Sequence, residues 1–75
     1  MPKLPAVSGD DVVRGLGKAG FALDRWRGSH AIMHHPGKGL TVVVPCHKKD
    51  LQPGILHQII KDAGLTAEQF RRLLS

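Results

Sequence analysis

Among the 75 residues, five histidines and eleven lysines and arginines are the side chains best suited to moving protons or holding anions. They are unevenly placed. Gly28-Ser29-His30 leads into Ala31-Ile32-Met33-His34-His35-Pro36, and Leu40-Thr41-Val42-Val43-Val44-Pro45 runs straight into Cys46-His47-Lys48-Lys49. An imidazole titrates near neutral pH, so it can take or give a proton in a phosphodiester reaction. RNA carries its own nucleophile, the 2′-hydroxyl. A protein acting on it need only manage protons and stabilise charge on the phosphorane. One histidine among fixed cations meets that need without a metal. His30 is the candidate general acid–base, with Arg25, Arg27, Lys48 and Lys49 as the surrounding cations and His47 as a candidate second proton carrier. Gly28 and Ser29, just before it, make close approach of another backbone sterically easy.

Each of these residues also has a plainer reading. Most lone histidines are structural. Lys48 and Lys49 would ordinarily be a solvated pair, but they stand between a strand and a helix, where a phosphate contact is available. Trp26, the only tryptophan, is either core or, if exposed at a strand end, a stacking platform for an unpaired base. The start of the helix after Pro53 offers free N–H groups to an anion. A metal site built from His30, His34, His35, Cys46 and His47 meets a geometric objection. His30 and His34 lie about 13 Å apart along a strand, whereas zinc–nitrogen bonds are about 2.0–2.1 Å. His34 with His35, and Cys46 with His47, point to opposite faces. His34 and His35 read as surface residues near a turn, and Cys46 as a small apolar residue at the core's edge.

The elements that must hold these residues are readable in order. Pro2 and Pro5 disfavour helix in residues 1–7. Ser8-Gly9-Asp10-Asp11 is a capping box, and Val12, Val13, Leu16 and Ala19 follow at helical spacing, predicting a first helix over 9–19. Gly15 and Gly17 weaken it, and Gly20 stops it. Residues 21–26 form a first strand, Gly28 a turn, 30–35 a second strand, 36–39 a hairpin loop and 40–44 a third strand. Gln52-Pro53-Gly54 opens a second helix with a stripe of Ile55, Leu56, Ile59, Ile60 and Ala63. Thr66-Ala67-Glu68-Gln69 caps a short last helix that presents Phe70, Leu73 and Leu74. The order α-β-β-β-α, with that terminal helix, is an α+β domain: a small antiparallel sheet with helices on one face, spanning residues 1–75 as a single domain.

The four-residue loop sets the hairpin register. His35 pairs with Leu40 and His30 with Pro45, leaving Gly28 opposite His47. Ala31, Met33, Leu40, Val42 and Val44 then share the face under the helices. His30, Ile32, His34, Thr41, Val43 and His47 share the other, expected to be polar and solvated. A slip by one residue would mix the two sets.

Size and charge narrow the partners. A domain this short buries only roughly 60% of its unfolded surface, which leaves no room for a deep site holding a bulky cofactor. The net charge of +5 and a pI near 10.0 favour a polyanion such as nucleic acid, or an acidic protein. A single cysteine rules out an internal disulfide and points to a reducing compartment. No leader-like apolar run or membrane-spanning segment is present in the sequence, so the expected location is the cytoplasm.

Taken together, these residues resemble the HicA toxin family, mRNA interferases with a double-stranded-RNA-binding-domain-like (dsRBD-like) fold. The resemblance is carried by Lys3-Leu4-Pro5 before the Ser8 cap, Ala19-Gly20-Phe21, Gly28-Ser29-His30 and His35-Pro36. It continues through Val44-Pro45, His47, Lys49-Asp50-Leu51, Pro53-Gly54-Ile55-Leu56 and Ala63-Gly64-Leu65. It implies a metal-independent endoribonuclease that cleaves mRNA, with the Gly-Ser-His histidine, here His30, essential. It also implies no cofactor and neutralisation by a HicB-type antitoxin that covers the active site. Cys46 and Lys48 depart from the family's usual aliphatic and small residues. A non-catalytic RNA-binding module of the same fold would use the same basic face, and a domain that binds an acidic protein is the third reading. Product formation separates the first from the second, and RNA affinity at moderate salt separates both from the third.

Overall fold

The first helix begins where the chain supplies its own cap. The Ser8 hydroxyl accepts the Asp11 N–H at 3.2 Å, and the Asp11 carboxylate accepts the Ser8 N–H at 3.2 Å. These bonds satisfy donors that every helix start leaves orphaned. The computed structural model describes residues 6–46 and 50–74. In it α1 spans Gly9–Lys18 and buries Val12 and Leu16. Ala19 is its C-cap, and Gly20 then turns the chain with φ +99°.

The strands are β1 (Ala22–Arg27), β2 (His30–His35) and β3 (Leu40–Pro45). They form one antiparallel sheet in the order β1-β2-β3. Phe21, expected in the first strand, instead drops into the core. The β2–β3 register has His30 opposite Pro45 and His35 opposite Leu40, as the loop length requires. The β1–β2 register joins Arg27 to His30 across Gly28-Ser29 and is interrupted by a bulge between Leu23 and Arg25.

Two helices complete the order: α2 (Pro53–Asp62) and α3 (Ala67–Leu73). Thr66 and Gln69 cap α3 reciprocally, at 2.9 and 3.1 Å. This is the α+β, dsRBD-like α-β-β-β-α arrangement expected from the sequence. One core joins Val12 and Leu16 from α1, Leu56, Ile59 and Ile60 from α2, Phe70 from α3, and Ala31, Met33, Val42 and Val44 from the sheet. Ile55, expected in the α2 stripe, is instead exposed. Gly15 has a packing role that its low helix propensity hides: a Cβ there would already touch Phe70 and Leu74 at 3.5 and 3.4 Å. The position faces α3, and a methyl there would make ordinary van der Waals contact with it. Among the described residues no helix is long and apolar enough to cross a membrane.

Candidate functional site

The helices leave one sheet face open, and the register fixes what stands on it. Paired residues share a face. Arg27 with His30, Arg25 with Ile32 and Val43, and His34 with Thr41 therefore project away from the core. Arg25, Arg27 and His30 are all exposed. Arg25 lies 3.6 Å from Asp24, an exposed pair of small energetic consequence. Arg27 makes no ion pair among the described residues, so its guanidinium is available to an anion.

Gly28-Ser29 is the shortest hairpin connection, and its geometry explains its residues. Gly28 has φ +61°, while Ser29 has negative φ. Positive φ at the first central position and negative φ at the second is the II′ pattern, which favours glycine first. A Cβ at Gly28 would meet nothing within 4 Å. The glycine therefore serves the turn, and the space beside it is open. The turn's brevity places His30 directly opposite Arg27. The ladder continues past β3, because the Cys46 N–H donates to the Ser29 carbonyl at 2.8 Å. The chain leaving β3 thus stays fastened beside the Gly28-Ser29 turn.

The open face is less polar than its sequence suggested. Ile32 is only 6% exposed yet lies outside the helix-side core, and Val43 beside it is 50% exposed. The centre is apolar, with cations and imidazoles as its rim. Ile32 is buried there because sheet neighbours on both sides flank it, which a prediction from alternation alone does not count. Farther along the face His34 is pinned, its Nδ1 3.1 Å from the Thr41 hydroxyl.

His35 lies on the other face and has a structural task. Its Nδ1 accepts the Lys38 N–H at 3.1 Å, closing the 36–39 loop. Its ring meets Phe21 edge-on, centroids 5.2 Å apart. It is half-buried, not the surface residue expected. Trp26 also departs from the predicted cluster. It pairs with Ala31, a core residue, so it projects from the helix-side face, 51% exposed at the sheet's edge. It does not share a face with His30. Reading Gly28-Ser29 as a two-residue turn would have given the Arg27–His30 pair, and with it this side for Trp26.

Cys46 packs against the core's edge, and its thiol donates weakly to the Val44 carbonyl at 3.6 Å. Burial, reinforced by the Asp10 charge, pushes the thiol above its ordinary pKa. It is a packing group and a poor nucleophile. The N-cap of α2, Gln52, makes no side-chain capping bond. His47, Lys48 and Lys49, and Lys3-Leu4-Pro5, lie outside the described residues.

A family model described as HicA toxin of bacterial toxin–antitoxin matches residues 9–65, well over half of the chain. No curated protein matches it.

Proposed function

We propose that this chain, which belongs to the HicA toxin family of bacterial toxin–antitoxin systems, is a metal-independent endoribonuclease that acts on mRNA in the cytoplasm and is held in check by a HicB-type antitoxin. The observation that carries this reading is the pairing of an exposed imidazole, His30, with an exposed guanidinium, Arg27, on the sheet face free of helices.

The chemistry follows from what RNA supplies. The 2′-oxygen attacks the adjacent phosphorus, and the bond from phosphorus to the 5′-oxygen breaks. The products are a 2′,3′-cyclic phosphate and a 5′-hydroxyl. One proton leaves the 2′-hydroxyl and one reaches the 5′-oxygen. His30 carries a proton in this exchange, and His47 is the candidate for the other transfer. Arg27, with Lys48 and Lys49, stabilises charge on the phosphorane oxygens, where fixed cations act without reorganisation cost. Gly28 and Ser29 position the imidazole and leave the approach to it open.

The test is a defined single-stranded RNA incubated with the chain in chelator. Fragments ending in a cyclic phosphate are expected. The His30→Ala variant should fold normally and leave the RNA whole. Wild-type cleavage by that variant would remove His30 from the mechanism. Salt-sensitive RNA retention without cutting by the wild-type chain would favour the binding module instead.

A further inference from the structure

The open face of the sheet is a grid of three rows. Arg27, His30 and Pro45 form the first, Arg25, Ile32 and Val43 the second, and Ala22, His34 and Thr41 the third. Rows are about 6–7 Å apart along the strands, and neighbours within a row about 5 Å apart. The columns differ in kind. β1 contributes two exposed guanidiniums, Arg25 and Arg27, in adjacent rows. β3 contributes Thr41, Val43 and Pro45, none of them charged.

Charge and apolar surface are thus separated across the face. Ile32 is its floor, and the half-exposed Val43 stands beside it on the side away from the arginines. One row on, the Thr41 hydroxyl holds the His34 ring through Nδ1 at 3.1 Å. Among the described residues that ring makes no other bond. Its Nε2 is therefore left, with the exposed Thr41 hydroxyl, as a polar edge to an apolar patch.

We propose that this corner is a base-selecting subsite: one nucleobase flanking the scissile phosphate lies on Ile32 and Val43, with its edge against the His34–Thr41 pair. The subsite rests on the ribonuclease reading, which puts the scissile phosphate in the Arg27–His30 row. Phosphate contacts position a nucleic acid, whereas base contacts specify it. The arginine column takes the sugar–phosphate backbone, so the bases are directed across the sheet to the column without charge. One row beyond the scissile phosphate, the neighbouring base meets the apolar pair. At the next row a ring nitrogen and a hydroxyl meet its edge. Only an unpaired base can lie flat there, so the subsite takes single-stranded RNA. An acidic protein segment would be drawn to the same arginines, but among the described residues no cation stands beside Val43 or Thr41. That column suits a base and not a carboxylate.

The test is cleavage of short single-stranded RNAs that carry each of the four bases, or no base, at the two positions flanking one cleavable linkage. For the wild-type chain, base identity at one of those positions should change kcat/KM at least fivefold, and removing that base should lower it at least tenfold. Thr41→Val removes the hydroxyl and keeps a β-branched strand residue. It and His34→Ala should each reduce the base preference to within twofold. Both should cleave the RNA lacking that base as fast as wild type does, which also shows that they fold and that His30 is undisturbed. An unchanged preference in either variant overturns the subsite, as does a wild-type chain indifferent to both flanking bases. Variants that keep the preference but lose the antitoxin overturn it too and give this corner to the protein partner. If the wild-type chain cuts nothing, the same RNAs are compared by affinity. A base preference in binding that Thr41→Val abolishes sustains the subsite and removes only the nuclease, and failure to bind RNA overturns both.

Discussion

Arg27 and His30 are direct cross-strand partners, separated in sequence only by Gly28-Ser29, and both leave the sheet on the side without helices. Guanidinium and imidazole are thus set by one turn, without help from distant elements. His30→Ala should lower RNA cleavage by about 10²–10⁴-fold, the usual contribution of a positioned acid–base. Neither partner is buried, so the thermal midpoint should not move. A large loss of stability in His30→Ala would mean that the ring is structural.

Gly28 should be replaceable only at the expense of the backbone. No atom lies near its missing Cβ, yet φ is +61°. Gly28→Ala is therefore expected to cost about 1–2 kcal/mol, the left-handed penalty alone. For a domain of this size each kcal/mol moves the midpoint by about 4–8 °C. Gly28→Asn, better tolerated at positive φ, should cost less. Thermal melts of the two variants check this ordering, and equal midpoints with wild type would refute the turn geometry.

The sequence made much of this readable, and the exceptions share a cause. The capping boxes at Ser8 and Thr66 and the β2–β3 register are local: cap residues, a loop length and a period of two. The Ile32 environment depends on β1 lying along β2, whereas the side taken by Trp26 follows from the two-residue Gly28-Ser29 turn, with no bulge in between. His35 looked superficial because its partners, Phe21 and the Lys38 N–H, come from the other strand's entry and the loop's own backbone. Gly15 looked like a weakness because its contacts come from α3, far along the chain.

Two glycines of α1 should respond oppositely to alanine. A Cβ at Gly9 would fall 2.7 Å from the Cys46 Cα and 3.0 Å from its sulfur, and would also strike the Pro45 carbonyl. Backbone cannot step aside cheaply, so Gly9→Ala should destabilise by about 1–3 kcal/mol, as overpacking does. It should also disturb the chain leaving β3. Gly17 has nothing within 4 Å. Gly17→Ala should stabilise by about 0.5–1 kcal/mol through helix propensity. Denaturant unfolding of both variants gives the signs directly.

Acid should loosen the start of α1. The Ser8 backbone N–H, then the Ser8 hydroxyl and Arg14, hold the Asp11 carboxyl below its ordinary pKa. A carboxyl depressed on folding binds its proton more weakly in the native chain than in the unfolded one. Its contribution is therefore fully present above the unfolded value, about 3.9, and is lost as the pH falls through the lower folded value. The group is exposed, so the effect is small. An NMR titration should find Asp11 below the usual aspartate range. Asp11→Asn should flatten the acid limb of the stability profile, and an unchanged limb would contradict the assignment.

The two faces of β1 should separate in RNA binding. Trp26 pairs with Ala31 on the helix side, whereas Arg27 pairs with His30 on the open side. If RNA lies on the open face, Trp26→Ala should leave affinity within about twofold, a small fraction of the 1–3 kcal/mol that a base-stacking aromatic contributes. Arg27→Ala should weaken binding across all sequences and lower the salt slope by about one, because one phosphate contact and its released counterion are gone. Arg27→Lys should restore most of that slope but less of the cleavage rate, since a lysine keeps the charge and loses the planar fork that grips two phosphorane oxygens. Measuring retention of an uncleavable 2′-deoxy analogue at several salt concentrations isolates binding from chemistry. A loss of affinity in Trp26→Ala as large as that in Arg27→Ala would move the RNA to the edge of β1 and away from His30.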